Sequence, residues 1–312
     1  MTKKYFNIIR NNYVISKLLR TVLKPMQRLC NILDRQIKMK VWANGEAVNY
    51  DGLSIQFPKN IGVGFCSNIY WNGVDGFEPR TWRIIRHFIE CADYFIDIGS
   101  NIGFYSVLAM KVKPAIKLSS FEPIPSIYEK NVFFHRANGF SFEHVVNAAI
   151  SESNGESEIY LPIADESLEE QMTATLRKDS WQFNKKHSTF IVRTMKLDDI
   201  VKKAEPCDKL FIKIDVEDYE LGVFKGAIET LHSVKPIIVC EILPRSHGNR
   251  ETVEILDNNG YIAFGIAVDG LIKFSKNDFI GPRMFTDFLL LHNSIAPNLN
   301  YISYDDINQI KW

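Results

Sequence analysis

Three apolar segments of this chain run straight into a carboxylate and a turn. They are Tyr94-Phe95-Ile96-Asp97-Ile98-Gly99, Leu118 through Phe121-Glu122-Pro123, and Leu210-Phe211-Ile212-Lys213-Ile214-Asp215. Short apolar runs with such ends, separated by stretches of helical period, are buried parallel strands joined by crossover helices. The spacing predicts helices at 80–91, 103–112, 125–138, 218–231 and 249–259. Strands are expected at 94–98, 116–121, 143–149, 209–215, 235–241, 261–266 and 286–291. This order makes the chain an α/β protein with a doubly wound, mostly parallel, Rossmann-like sheet.

The rest of the chain is read against that sheet. Residues 41–80 carry Asn44-Gly45, Asp51-Gly52, Asn72-Gly73 and Asp75-Gly76, which mark turns between short strands. Residues 1–35 have apolar positions at spacings of three and four, from Ile15 and Leu18 to Leu33, and predict an amphipathic helix kinked or divided at Pro25. The stretch 162–188 is polar and reads either as a lid over the site or as a surface loop. The domain reading is an N-terminal helix and short-strand extension at 1–78, a principal domain at 79–295 and a tail at 296–312.

Charge bounds the partners. Thirty-seven basic residues balance thirty-seven acidic ones, so net charge gives no support for nucleic-acid binding. The balance hides an asymmetry: residues 1–40 hold ten Lys and Arg against Asp34 alone. That segment either packs on the principal domain with a solvated outer face or lies on an anionic membrane surface, giving a cytoplasmic protein with or without a peripheral seat on the inner face of the membrane. Five widely spaced cysteines fit neither a disulfide framework nor a zinc site, and Cys240, inside Ile237-Ile238-Val239-Cys240, reads as a core thiol. No metal is expected. Oligomeric state is not legible.

Ligands of such sheets bind beyond the carboxyl ends of the strands. Asp97 lies at one such end, Gly99 permits the turn and Gly103 starts the next helix close to a ligand. The glycines are spaced Gly-x-x-x-Gly, not Gly-x-Gly-x-x-Gly, and an acid precedes them. A carboxylate there repels pyrophosphate but accepts hydrogen bonds from an ammonium group. Glu122 stands where an acid can accept ribose hydroxyls. An amino-acid-like group, a ribose and a cationic sulfur describe S-adenosylmethionine better than a dinucleotide. Lys213 alternates with apolar neighbours and requires a partner or a function. Asp215 and Glu241 reach the same edge, and Glu217 and Asp218 sit where a helix begins, a position that favours negative charge.

Taken together these residues resemble the FkbM-type S-adenosylmethionine-dependent methyltransferases from about Phe77 to Leu291. The family's elements stand here as Phe77-Glu78-Pro79, then Asp97 to Gly103 through Asn101 with Ser100 in place of alanine, then Phe121-Glu122-Pro123. Asn131, Asn147 with Ala149-Ile150-Ser151, Leu197-Asp198 and Lys213-x-Asp215-x-Glu217-Asp218-x-Glu220 follow. Asp218 replaces the usual glycine. The resemblance implies a seven-stranded methyltransferase sheet and a cofactor site built from Glu78, Asp97, Gly99, Asn101, Gly103, Glu122, Asn147, Ala149 and Asp215. It also implies methylation of hydroxyl oxygens on sugars, glycans or natural products, as in polysaccharide biosynthesis. For the acceptor's proton the candidates are Asp215, Glu217, Glu241 and His247, with Lys213 orienting a carboxylate or the acceptor. A nicotinamide-dependent oxidoreductase and a non-catalytic membrane-peripheral protein of the same fold are the alternative readings.

Overall fold

The alternation expected over residues 79–292 is present in the computed structural model, which describes residues 13–32, 45–59, 61, 64–162, 175–176, 187–204, 207–244, 248–275, 285–296, 298–310 and 312. The chain divides into two compact units, Met1–Pro79 with Phe133–Phe140, and Arg80–Val132 with Ser141–Trp312.

The larger unit is built on a nine-stranded sheet. In chain order its strands are β3 (Tyr94–Ile98), β4 (Lys117–Phe121), β5 (Val145–Val146), β9 (Leu210–Ile214), β10 (Ile237–Glu241), β11 (Tyr261–Ile266), β12 (Gly270–Phe274), β13 (Asp287–His292) and β14 (Tyr301–Ser303). Their spatial order is β14-β12-β11-β13-β10-β9-β3-β4-β5. The pairs from β5 to β10 are parallel; β13 runs antiparallel between β10 and β11. The chain leaves β3 toward one edge through β4 and β5, then returns to its other side with β9. That reversal makes the β3/β9 boundary the topological switch point. Seven strands match the expected sheet. Two more extend it beyond β11, and β14 lies in the stretch that reads as a tail.

Strands β3 and β9 are buried at every position, as strands covered on both faces must be. Phe95 and Phe211 stack across them with centroids 5.4 Å apart, and Phe88 packs 5.7 Å from Phe211. Each such side chain, fully buried, contributes roughly 1.5–3 kcal/mol. Cys240 is fully buried in this core.

Four helices follow the expected spans closely: α3 (Pro79–Cys91), α4 (Phe104–Val112), α5 (Pro125–Ala137) and α8 (Asn249–Asn258). Two expectations fail locally. The strand expected at 143–149 is two short ones, β5 in the large sheet and β6 (Ala149–Ile150) in a three-stranded sheet with β7 (Gly155–Pro162) and β8 (His187–Met195). The helix expected at 218–231 stops after α7 (Glu220–Lys225), and a wider helical turn covers Thr230–Val234. The break has a cause in packing. A side chain at Gly226 would lie 2.1 Å from the Ser151 carbonyl oxygen. The residues after it are tied to Asp198, near the start of α6 (Leu197–Lys203), whose carboxylate accepts from the N–H groups of Glu229 and Thr230 and from the Thr230 hydroxyl. Most of 162–188 lies outside the described residues; it connects β7 to β8.

The smaller unit contains α1 (Tyr13–Ile32), the hairpin β1 (Ala47–Tyr50) and β2 (Leu53–Gln56), and α2 (Gly64–Asn72). Asp51 and Gly52 close the hairpin with φ of 52° and 81°, the two positive values that a type I′ turn requires. Helix α1 continues through Pro25, where the sequence predicts a kink or a division.

Candidate functional site

Five acids occupy one edge of the large sheet on five neighbouring strands. Glu122 follows β4, Asp97 sits in β3, Asp215 follows β9, Glu241 ends β10 and Asp287 begins β13. Because β13 runs the other way, its first residue meets the carboxyl ends of the parallel strands. Glu241 and Asp287 are direct cross-strand partners, as are Asp97 and Lys213. Asp287 is missed by sequence reasoning, because an acid opening an apolar strand looks like an ordinary strand boundary.

Lys213 is the cation among these acids. It is 5% exposed, its Nζ lies 2.9 Å from Asp215 Oδ2 and 5.1 Å from the centre of the Tyr105 ring. The partner that a buried lysine requires is therefore the carboxylate two residues along the same chain segment.

Asp97 is 1% exposed. Its Oδ2 accepts from Ser106 Oγ at 2.7 Å, while its buried Oδ1 has no hydrogen-bond partner among the described residues. Burial raises its pKa above the usual carboxylate range, against the opposing pull of Lys213 and the Ser106 hydroxyl. An orphaned acceptor of this kind is the natural counterpart of an ammonium donor.

Glu122 behaves differently from the bare strand-end acid that the sequence suggests. Its Oε2 accepts from the Asn101 N–H at 3.0 Å and its Oε1 from the Ile124 N–H at 2.8 Å. Each oxygen has a further lone pair for a hydroxyl donor. Burial lifts Glu122 to a pKa of about 7, and the two backbone donors pull against it. The carboxylate thus also shapes the glycine turn it faces.

That turn is held from several sides. Gly99 has φ of 73°, and a side chain there would stand 1.8 Å from the Asp215 carbonyl oxygen, so glycine is demanded both by conformation and by the approach of β9. Asn101 and Gly103 also have positive φ, 53° and 81°. Asn131, fully buried, donates to Ser100 Oγ and to the Asn101 carbonyl, both at 2.9 Å. Ser100, standing where the resembled family has alanine, donates a hydrogen bond from its hydroxyl to the Phe121 carbonyl. Asn147 donates to the carbonyls of Glu122 and Pro123, and Ala149 is buried in β6. Glu78 has φ of 39° and belongs to the smaller unit.

Two acids beyond Lys213, Glu241 and Glu220, have their pKa values raised above neutral pH. Burial, then the charges of Asp215, Glu217 and Asp287, push Glu241 up to about 10, and it hydrogen-bonds to Asp215. Asp287 is raised by burial, although Thr81 Oγ1 donates to its Oδ2 at 2.8 Å. Glu220, held up at about 8 by burial and neighbouring acids, accepts from the Asp218 N–H at 3.1 Å. Glu217 and Asp218 have consecutive positive φ of 51° and 74°. His247 lies outside the described residues. Among the described residues, no group of three or more His, Cys, Asp or Glu side chains could hold a metal ion.

The family model described as the methyltransferase FkbM domain matches residues 97–263, more than half of the chain. The chain belongs to the FkbM methyltransferase family. The matched span of this FkbM protein begins at Asp97 and takes in Glu122, Lys213, Asp215 and Glu241; Asp287 lies beyond it. The hexuronic acid methyltransferase AglP of Haloferax volcanii is 26% identical over 164 residues, which are 52% of this chain and 61% of AglP. The chain thus spans about three fifths of the length of that relative. Among solved structures, the methyltransferase FkbM of Methylobacillus flagellatus KT has 17% identity and a TM-score of 0.35, covering 64% of this chain and 44% of that one. An O-methyltransferase of Bacillus cereus, solved in complex with SAH, has 13% identity and a TM-score of 0.37, covering 68% of this chain and 80% of that one.

Proposed function

We propose that this protein is an S-adenosylmethionine-dependent methyltransferase acting on a hydroxyl oxygen of a glycan or small-molecule acceptor. The reading is carried by the row of buried and half-buried acids around the switch point, above all the orphaned Oδ1 of Asp97. The donor set fits the cofactor. Asp97 would take the ammonium, Glu122 would accept from ribose hydroxyls, and the turn Gly99–Gly103 would admit the ligand close to the backbone. When bound, the cofactor supplies an electrophilic methyl group on a sulfonium, and in-line displacement needs little from the protein beyond alignment and a proton acceptor.

The protein's own residues divide that work. Asp215 is the base of this reading, because Lys213 holds its carboxylate in place. Glu241 retains its proton near neutral pH and so donates to Asp215 and does not act as the base. Glu217, half-buried beside them, is a second acceptor-facing acid. AglP, named for a hexuronic acid substrate, supports a sugar-like acceptor. A peripheral seat on the membrane through residues 1–35 belongs to the same reading; no helix among the described residues is long and apolar enough to cross a membrane.

The test is Asp215→Asn, assayed by calorimetry with S-adenosylmethionine and by release of S-adenosylhomocysteine with a panel of uronic-acid and neutral glycosides. Turnover should fall by a factor of about 100 or more while the cofactor still binds. Near-normal turnover would remove Asp215 from the role, and no binding by the parent protein would remove the cofactor.

A further inference from the structure

Ser151 and Asp198 belong to two of the family elements, take no part in the proposed chemistry, and both reach α7. Asp198 holds the residues beyond the far end of that helix. Ser151, which is 3% exposed, meets its beginning. The Ser151 hydroxyl lies 2.9 Å from the hydroxyl of Tyr219, the residue that caps α7. Ser151 is itself anchored, its N–H donating to the Met195 carbonyl at 2.9 Å.

The approach is close because α7 carries no side chains at two of the points of contact. A side chain at Gly222 would stand 2.3 Å from Tyr219 Cε1, and one at Gly226 would stand 2.1 Å from the Ser151 carbonyl oxygen. The Tyr219 ring therefore lies against the α7 backbone, at the spot that glycine leaves open. Burial raises the pKa of its phenol, against the pull of the Ser151 hydrogen bond.

This contact closes the loop that carries the acids. At the start of the loop, the Asp215 N–H donates to the Ile98 carbonyl at 3.0 Å, and its carboxylate takes the Lys213 ammonium. The next helix begins at Glu220. Between the two lie Glu217 and Asp218, both left-handed, with φ of 51° and 74°. Residues other than glycine persist in such conformations only where their surroundings over-determine them. The Asp218 N–H donates to Glu220 Oε1, a constraint internal to the loop and its helix. Tyr219 instead ties the end of the loop to the end of β6, in another sheet. The chain enters β6 from Asn147, which donates to the carbonyls of Glu122 and Pro123. One hydroxyl pair thus joins the loop of the base to the segment that supports the Glu122 turn.

We propose that Tyr219 is a positioning residue for methyl transfer: through Ser151 it fixes the loop from Asp215 to Asp218, so that Asp215 and Glu217 keep their places facing the acceptor. The proposal rests on the reading of Asp215 as the base and deepens it. Loosening the clamp loses alignment and not binding, and small misplacements of a reacting group cost turnover steeply.

The test compares the parent with Tyr219→Phe, Ser151→Ala and the double variant, using S-adenosylmethionine and the panel of glycosides. Each single variant should lower kcat about 10-fold and leave the KM of the glycoside and the calorimetric affinity for S-adenosylmethionine unchanged. The double variant should be no slower than either single one, as two halves of one contact require. Gly222→Ala keeps both hydroxyls but displaces the ring, and should reproduce the defect although alanine is the better helix former. Hydrogen exchange reads the clamp without any acceptor. In Tyr219→Phe the amides of residues 216–219 should exchange about 10-fold faster, while those of Leu210–Ile214 keep their protection. The proposal is overturned if Tyr219→Phe turns over like the parent, if the two single defects multiply in the double variant, or if exchange at 216–219 is unchanged. A lower melting temperature with parental kcat would make the contact merely structural and would equally overturn it. Near-normal turnover of Asp215→Asn, by contrast, refutes the base reading whatever Tyr219 does, so the two failures are told apart.

Discussion

Asp218 stands where the family motif usually has glycine, and its φ of 74° is one that a side chain opposes. The left-handed conformation costs an ordinary residue roughly 1–2 kcal/mol, and Asp somewhat less. The side chain is also 2% exposed, and its charge in that poorly solvated place raises the pKa of Glu220. Asp218→Gly removes both burdens, and Asp218→Ala removes only the charge. Glycine brings an opposing term, because it loosens the unfolded chain by about 0.4–1 kcal/mol. The glycine variant should therefore be more stable than the alanine variant by roughly 0.5–1 kcal/mol. Urea unfolding of the two variants and the parent measures this directly, provided the slopes agree. The comparison between glycine and alanine is the decisive one, since the two share the loss of the carboxylate and its contacts. An alanine variant as stable as the glycine variant would refute the reasoning, because the backbone would then be able to leave the left-handed region at little cost.

Two other outcomes follow from the same geometry. Gly99→Ala should cost about 3 kcal/mol or more, since its side chain meets the Asp215 carbonyl, whereas Gly52→Ala, at a similar φ but with nothing within 4 Å, should cost only about 1–2 kcal/mol; equal losses in denaturant midpoints would show that the contact at Gly99 is not the cause. Glu220 has its pKa raised in the folded state from 4.5 to about 8, first by burial, so the folded protein binds the extra proton. Its contribution to stability is complete below the unfolded value and is lost as pH rises through about 8. At roughly 1.4 kcal/mol per unit the displacement is worth on the order of 5 kcal/mol. Glu220→Gln, which keeps an oxygen for the Asp218 N–H, should flatten that fall between pH 5 and 9, as followed by thermal melting.

The strands that carry the site are legible in the chain because burial on both faces writes itself as an unbroken apolar run. Tyr94–Ile98 could be placed to the residue and Leu210–Ile214 to within one residue at each end. The acids that end these runs stand out for the same reason. Less was readable where a segment's partner lies far away in sequence. The split of 143–149 between two sheets depends on β8, some forty residues later. The early end of α7 depends on the Ser151 backbone and the Asp198 carboxylate. Asp287 joins the acidic row only because β13 runs backwards beside β10.

By itself the amino-acid order determined which segments bury themselves, which turns need glycine and which ionisable groups are delivered to the carboxyl ends of the strands. These are local consequences of apolar periodicity and backbone freedom. The tertiary structure alone decided what those groups face: Lys213 paired with Asp215, Glu122 bound to two backbone donors, Glu241 raised by burial, and Arg20 of α1 buried against Glu46. The physical reason is that pKa values, ion pairs and the exposed side of a helix are set by neighbours brought together through space, and no pattern along the chain records those distances.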